Sequence, residues 1–129
     1  MSRTPQEEAN LALVLAMFEA VLTPMDSAAV DRFLAPGYLQ HNPLAEAGRE
    51  GLKKFLDMIR GETPEAVHDV KRAFVDGDHV TVHYHVRRWP GDAGWAVIDI
   101  FRVENGLIAE HWDVMQDVVP GGPNPLGVF

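Results

Sequence analysis

The sequence has no cysteine, which excludes disulfides, thiolate nucleophiles and cysteine-bound zinc. It has only two serines, Ser2 and Ser27, and neither sits in a GxSxG elbow, so a serine nucleophile is not expected. Positive charge is scarce. Eleven lysines and arginines stand against nineteen acidic residues, a net charge of −8, and the only basic pairs are Lys53-Lys54, Lys71-Arg72 and Arg87-Arg88. A nucleic-acid partner needs a basic patch, so none is expected. No apolar run is long enough to cross a bilayer: Leu11 to Phe18 is short and is followed by Glu19. Glu7 and Glu8 precede that run where a secretory signal would carry positive charge. The expectation is a cytoplasmic protein with no membrane partner.

What is present reads as a globular chain. The 129 residues are 47% hydrophobic and 23% charged, which suits one domain spanning residues 1–129. The first half has helical punctuation. Thr4-Pro5-Gln6-Glu7 has the form of a capping box with proline at the first helical position, and Thr23-Pro24 should stop that helix near Leu22. Asp26 can cap a second helix through Leu34, ended by Pro36-Gly37. A third fits Arg49 to Ile59, with Leu52, Phe55, Leu56 and Ile59 on one stripe. The second half reads as strands over Val67 to Val75, His79 to Trp89, Trp95 to Val103 and Leu107 to Gln116. Asp76-Gly77-Asp78, Pro90 to Gly94 and Glu104-Asn105-Gly106 make the turns, and the tail from Val119 is irregular. Helices first and an antiparallel meander afterwards predict an α+β fold with the helices on one face of the sheet.

Strand alternation sorts the ionisable residues by face. Asp99 interrupts an otherwise apolar face of Trp95, Val97, Phe101 and Val103. A carboxylate there costs several kcal/mol, on the order of 2–7, unless it is paired or hydrogen-bonded. The hairpin at Asn105-Gly106 should bring Asp99 beside His111 and Asp113, with Met115 on the same face, provided no bulge shifts the register. The preceding hairpin can bring His83 or His85 to the other flank of Asp99. A polar island on an apolar wall is a candidate small-molecule pocket. Other readings stay open. The His83-x-His85 face could be solvent-exposed, with Val82, Tyr84 and Val86 packing inward. Asp99 could be a structural partner for Arg87 or Arg102. His83, His85, Asp99, His111 and Asp113 are also competent zinc or iron ligands, though no dedicated metal motif is present.

The stretches Tyr38-Leu39-Gln40-His41-Asn42-Pro43, Asp76-Gly77-Asp78, Asp99-Ile100-Phe101-Arg102-Val103-Glu104-Asn105-Gly106 and Glu110-His111-Trp112-Asp113-Val114-Met115-Gln116 give the chain a resemblance over nearly its whole length. It resembles SnoaL-like polyketide cyclase domains of the nuclear transport factor 2-like superfamily, and within them a subgroup of aldol-type enzymes carrying QHNP and EHWD. The resemblance implies a cystatin-like cone-shaped barrel, with three N-terminal helices on a strongly curved antiparallel sheet. It also implies that Asp113 is similar in position to the acid/base aspartate of the characterised cyclases, and that Asp99 occupies a position where those cyclases carry histidine.

The expected activity is cofactor-independent acid/base chemistry on a small carbonyl compound. Asp113 would move a proton at the carbon next to the carbonyl. His111, His85 or His41 would donate to the developing oxyanion, and Asp99 would orient a histidine. His41, Asn42, His83, Trp95, Phe101 and Met115 would contact the substrate, with His41 or Asn42 facing the cavity from the segment before Pro43. The rival readings are a non-catalytic small-molecule binder and a metal-dependent enzyme. A homodimer is expected through the convex sheet face, assigned Val80, Val82, Tyr84, Val86, Ala96, Ile98, Ile100, Ile108, Trp112 and Val114. Such a face is larger than monomers usually leave in water, unless the C-terminal tail folds over it.

Overall fold

The N-terminal capping box forms as the sequence requires. Thr4 Oγ1 accepts from the Glu7 backbone at 3.1 Å, and Glu7 Oε1 accepts from the Thr4 backbone at 2.9 Å. From there the computed structural model, which describes residues 2–129, runs through three helices and five strands. Helix α1 (Pro5–Met17) continues as a π-helical turn over Phe18–Leu22, closed by Thr23 N donating to Phe18 O at 2.8 Å. Asp26 accepts from Ala28 N and starts a 3₁₀ turn that leads into α2 (Val30–Phe33). Helix α3 (Gly48–Glu62) turns Leu52, Phe55, Leu56 and Ile59 towards the core.

The strands are β1 (Leu34–Gln40), β2 (Val67–Asp76), β3 (His79–Arg87), β4 (Trp95–Glu104) and β5 (Leu107–Asp117), in the order β1-β5-β4-β3-β2. Four of them form the expected antiparallel meander. The Asn105-Gly106 turn takes positive φ at both residues, as a tight two-residue hairpin demands. The sheet as a whole is mixed, which corrects the all-antiparallel expectation. Leu34 leaves the helical region, and the segment through Gln40 pairs parallel with β5. Pro36 and Gly37 fall where this register shifts, and β1 lies at the sheet edge, where a residue without an N–H is tolerated.

The register decides which side chains face the helices. Val80, Val82, Tyr84 and Val86 lie opposite Phe101, Asp99, Val97 and Trp95. Directly opposed residues share a face, so this apolar set points inward, where Val80 and Val82 are fully buried under Val14, Met17, Phe18 and Val21. The assignment of Val80, Val82, Tyr84 and Val86 to the convex face is therefore wrong. His83 and His85 lie opposite Ile98 and Ala96 on the outer side, away from Asp99. Ile108 is also inward. Arg102 pairs with Glu110 and Val103 with Ile108, so Ala109 is an extra residue that reverses the parity of β5 below that point. The bulge leaves the Asp99–Asp113 and Phe101–His111 pairs intact.

The convex face keeps Ile98, Val114 and Phe74 exposed, with Ile100 and Trp112 partly covered. The end of the tail returns to it: the Phe129 ring lies 4.6 Å from that of His85, and Val128 borders the groove over His83 and Ile98. No helix among the described residues is long and apolar enough to cross a membrane.

Candidate functional site

The concave side of the sheet holds the polar island. Asp99 on β4 is 2% exposed, and its Oδ1 lies 3.3 Å from His111 Nε2 on β5. The N–H is not aimed along that line, so the contact is an ion pair more than a directed hydrogen bond. Asp113 Oδ2 lies 4.0 Å from the same nitrogen. His111 Nδ1 is fixed at 2.8 Å by Gln40 Oε1, and the ring stacks on Phe101. An acceptor faces each ring nitrogen, an arrangement that favours the protonated ring. Burial alone would lower its pKa, but the close contact and charge of Asp99, with the charge of Asp113, raise it above the ordinary value.

Asp113 is positioned by Asn42, whose Nδ2 donates to Oδ2 at 2.9 Å. Asn42 Oδ1 meanwhile accepts from Leu44 N at 2.8 Å, a side-chain turn that orients the amide. Burial raises the pKa of Asp113, and the charge of Asp99 adds to this, while the charge of His111 and the Asn42 hydrogen bond oppose it. Burial, reinforced by the charge of Asp99, also pushes the Tyr38 and Tyr84 hydroxyls well above the ordinary range, so both remain donors.

Two chambers meet at this cluster. The inner, about 90 Å³, is bounded by Tyr38, Gln40, Asp99, Phe101 and His111. The outer, about 370 Å³, is bounded mainly by Met25, Val86, Trp95, Val97 and Met115. Arg88 stands at its rim, stacked on Trp89 and Trp95 and fixed by Asp92 through two contacts of 2.8 and 3.1 Å.

The structure thus brings Asp99, His111, Asp113 and Asn42 together, with Phe101, Trp95 and Met115 on the walls. It places His83, His85 and His41 elsewhere. His83 pairs with Arg72, and His85 is held by Ala93 O and Arg87. His41 stacks on Trp112 and pairs with Glu110 at 2.7 Å on the outer face. Gln40, Tyr84 and His68 also line the site, where the sequence predicts no role for Gln40 or His68 and places Tyr84 on the opposite face. Gln40 had a signal, since alternation along Tyr38-Leu39-Gln40 aims it with Tyr38, but only once that segment is known to be a strand. Among the described residues, Asp99, His111 and Asp113 could approach one metal ion, each offering an atom within 4.8 Å of the others. The imidazole nitrogen involved faces both carboxylates, at 3.3 and 4.0 Å, and would have to give up its proton to ligate, so this donor set fits an ion pair better than a metal.

The sequence profile of the SnoaL-like domain family matches residues 14–111, from the last turn of α1 to His111 on β5, and stops just short of Asp113. The chain belongs to the SnoaL-like domain family. No curated protein matches it. Among solved structures, TsrD from Streptomyces laurentii is 24% identical, with a TM-score of 0.64 over 89% of this chain and 91% of that one. A nuclear transport factor 2-like protein of unknown function from Mesorhizobium loti is 18% identical, with a TM-score of 0.73 over 89% and 97%. A candidate polyketide cyclase from Bacillus cereus ATCC 10987 is 21% identical, with a TM-score of 0.75 over 88% and 78%. At these identities the likeness is one of fold, and the chemistry of this SnoaL-like chain rests on its own side chains.

Proposed function

We propose that this protein is a cofactor-independent acid/base enzyme of the aldol cyclase, isomerase or dehydratase type, acting on a small carbonyl compound with an apolar body. The observation that carries this reading is Asp113, a carboxylate of raised pKa at the junction of the two chambers, 4.0 Å from the buried His111 ring. A general base must be deprotonated yet basic enough to accept a proton from carbon, and burial tunes a carboxylate that way. Asp113 takes the proton from the carbon next to the carbonyl, and His111 stabilises the enolate through its charge. Asp99 keeps His111 protonated and in place. The apolar outer chamber receives the remainder of the substrate. The names of similar structures, among them the candidate cyclase of Bacillus cereus, support a carbonyl substrate.

The test is exchange of the α-protons of 2-tetralone in D₂O, followed by NMR. The protein should accelerate exchange, and Asp113→Asn should lower that acceleration by roughly 10²- to 10⁴-fold. Equal exchange with and without the Asp113 carboxylate would overturn the reading.

A further inference from the structure

Six residues border both chambers and form the neck between them: Asn42, Phe55, Ile59, His68, Tyr84 and Asp113. Any ligand that reaches from the outer chamber to the inner one passes all six. Four of them are polar, and three have assigned partners or roles. Asn42 is committed to Asp113 and to its own turn. Tyr84 faces the charge of Asp99, and Asp113 is the base. His68 is left over.

His68 enters from β2, opposite the inward-facing Val86, and so lies on the concave face. Its ring lies beside that of Tyr84, with centroids 6.1 Å apart. Asp113, Asp99, Tyr84 and His68 therefore run obliquely across β5, β4, β3 and β2. Nδ1 of His68 is sealed from solvent and has no hydrogen-bond partner. A buried N–H without an acceptor is costlier than a bare lone pair, which assigns the ring proton to Nε2. Burial also disfavours the charged ring and outweighs the opposing charge of Asp99. The ring thus lines the neck with one nitrogen closed off and an Nε2–H to offer. His111 cannot supply that donor, because Gln40 takes one of its nitrogens and the two carboxylates flank the other.

We propose that His68 is a second catalytic residue of this site, its Nε2–H donating to the substrate's carbonyl oxygen while Asp113 removes the proton from the adjacent carbon. The inference rests on the acid/base reading of Asp113. In the step, the C–H electron pair becomes the carbon–carbon double bond of the enolate, and the carbonyl π pair moves onto oxygen. The proton goes to Asp113, and the oxyanion accepts from His68.

The probe is 2-naphthol, a planar mimic of the enol of 2-tetralone, titrated into protein with ¹⁵N-labelled histidine. In the free protein His68 should give the Nε2–H tautomer, and the naphthol should shift its Nε2 resonance. His68→Gln, whose amide can still donate, should bind naphthol within about threefold of the wild type. His68→Phe, which keeps a ring and loses the donor, should bind about tenfold more weakly, or about 1.4 kcal/mol. An Nδ1–H tautomer, or an Nε2 signal indifferent to naphthol, would overturn the proposal on the wild-type protein alone, whether or not the variants fold. Equal binding by a folded His68→Phe would also overturn it. Asp113→Asn separates the two claims. If it exchanges 2-tetralone as fast as wild type while His68→Phe still loses naphthol, the base assignment falls and the His68 contact stands. If exchange is lost but naphthol ignores His68, the reverse holds.

Discussion

Replacing Asp99 by Asn should destabilise the protein in a manner that depends on pH. At the observed 3.3 Å, opposite unit charges attract by about 5 kcal/mol at an effective dielectric constant of about 20. Desolvation of both groups offsets part of this, yet removing one partner strands the other, which typically costs about 3–5 kcal/mol. Asp113, 4.0 Å from His111, recovers some of the loss, so about 3 kcal/mol is expected at pH 5.5. The sign follows from His111. Its folded-state pKa is raised, so its contribution is complete below the ordinary histidine value and fades as pH rises through the raised value. In the variant burial acts with less opposition, and acid then works against folding. Once pH has risen through the raised value the imidazole is neutral in both proteins, and the difference should fall below about 1 kcal/mol. Urea denaturation at pH 5.5 and over a series of rising pH values measures this. With a slope of about 2 kcal/mol/M, the midpoint should drop by roughly 1.5 M at pH 5.5 and by less than about 0.5 M once His111 has lost its proton. A loss that stays constant or grows as pH rises through the His111 titration would refute the ion pair as the reason Asp99 is tolerated in the core.

Asp113→Asn should leave thermal stability unchanged or raised at neutral pH while activity falls. A carboxylate whose pKa is raised on folding is a burden above that pKa, and calorimetry would expose a structural role instead as a lowered Tm. The pH profile of kcat/KM for tetralone exchange should be bell-shaped, with an acid limb above the ordinary aspartate range from Asp113 and an alkaline limb above the ordinary histidine range from His111. Gly94→Ala should lower stability by more than about 2 kcal/mol in denaturant melts, because its Cβ would lie 2.0 Å from Val86 O at a φ of +78°. The exposed Ile98, Val114 and Phe74 of the convex face predict a homodimer, and sedimentation at micromolar concentration should give twice the chain mass. A mass of one chain, unchanged on dilution, would exclude it.

The antiparallel hairpins and the Asp99–His111–Asp113 cluster were legible because turn residues and period-two alternation fix local pairing. The side to which β3 turns was not. His79 to Arg87 alternates cleanly, but alternation names two faces without saying which is inside. The apolar Val80, Val82, Tyr84 and Val86 favoured the core on composition alone. The histidines on the opposite face are equally competent pocket residues, and the long turn over Pro90 to Gly94 does not fix the register. β1 was missed because Pro36-Gly37 reads as punctuation, and its partner β5 lies about seventy residues away. The bulge at Ala109 left no local sign, so Ile108 was put outside. His68 escaped notice because Val67 to Val75 mixes charged and apolar residues on both faces and gives no polar interruption to mark.

The central claim is that Asp113 is a base tuned by its surroundings. It is tested most directly by following the side-chain carboxyl carbon of Asp113 by NMR through a pH titration of the native protein. The midpoint should lie above that of an ordinary aspartate, since burial and the charge of Asp99 outweigh His111 and Asn42. A midpoint at or below the ordinary value would mean that the neighbouring imidazolium dominates, leaving Asp113 as a structural counter-ion too weakly basic for the chemistry assigned to it.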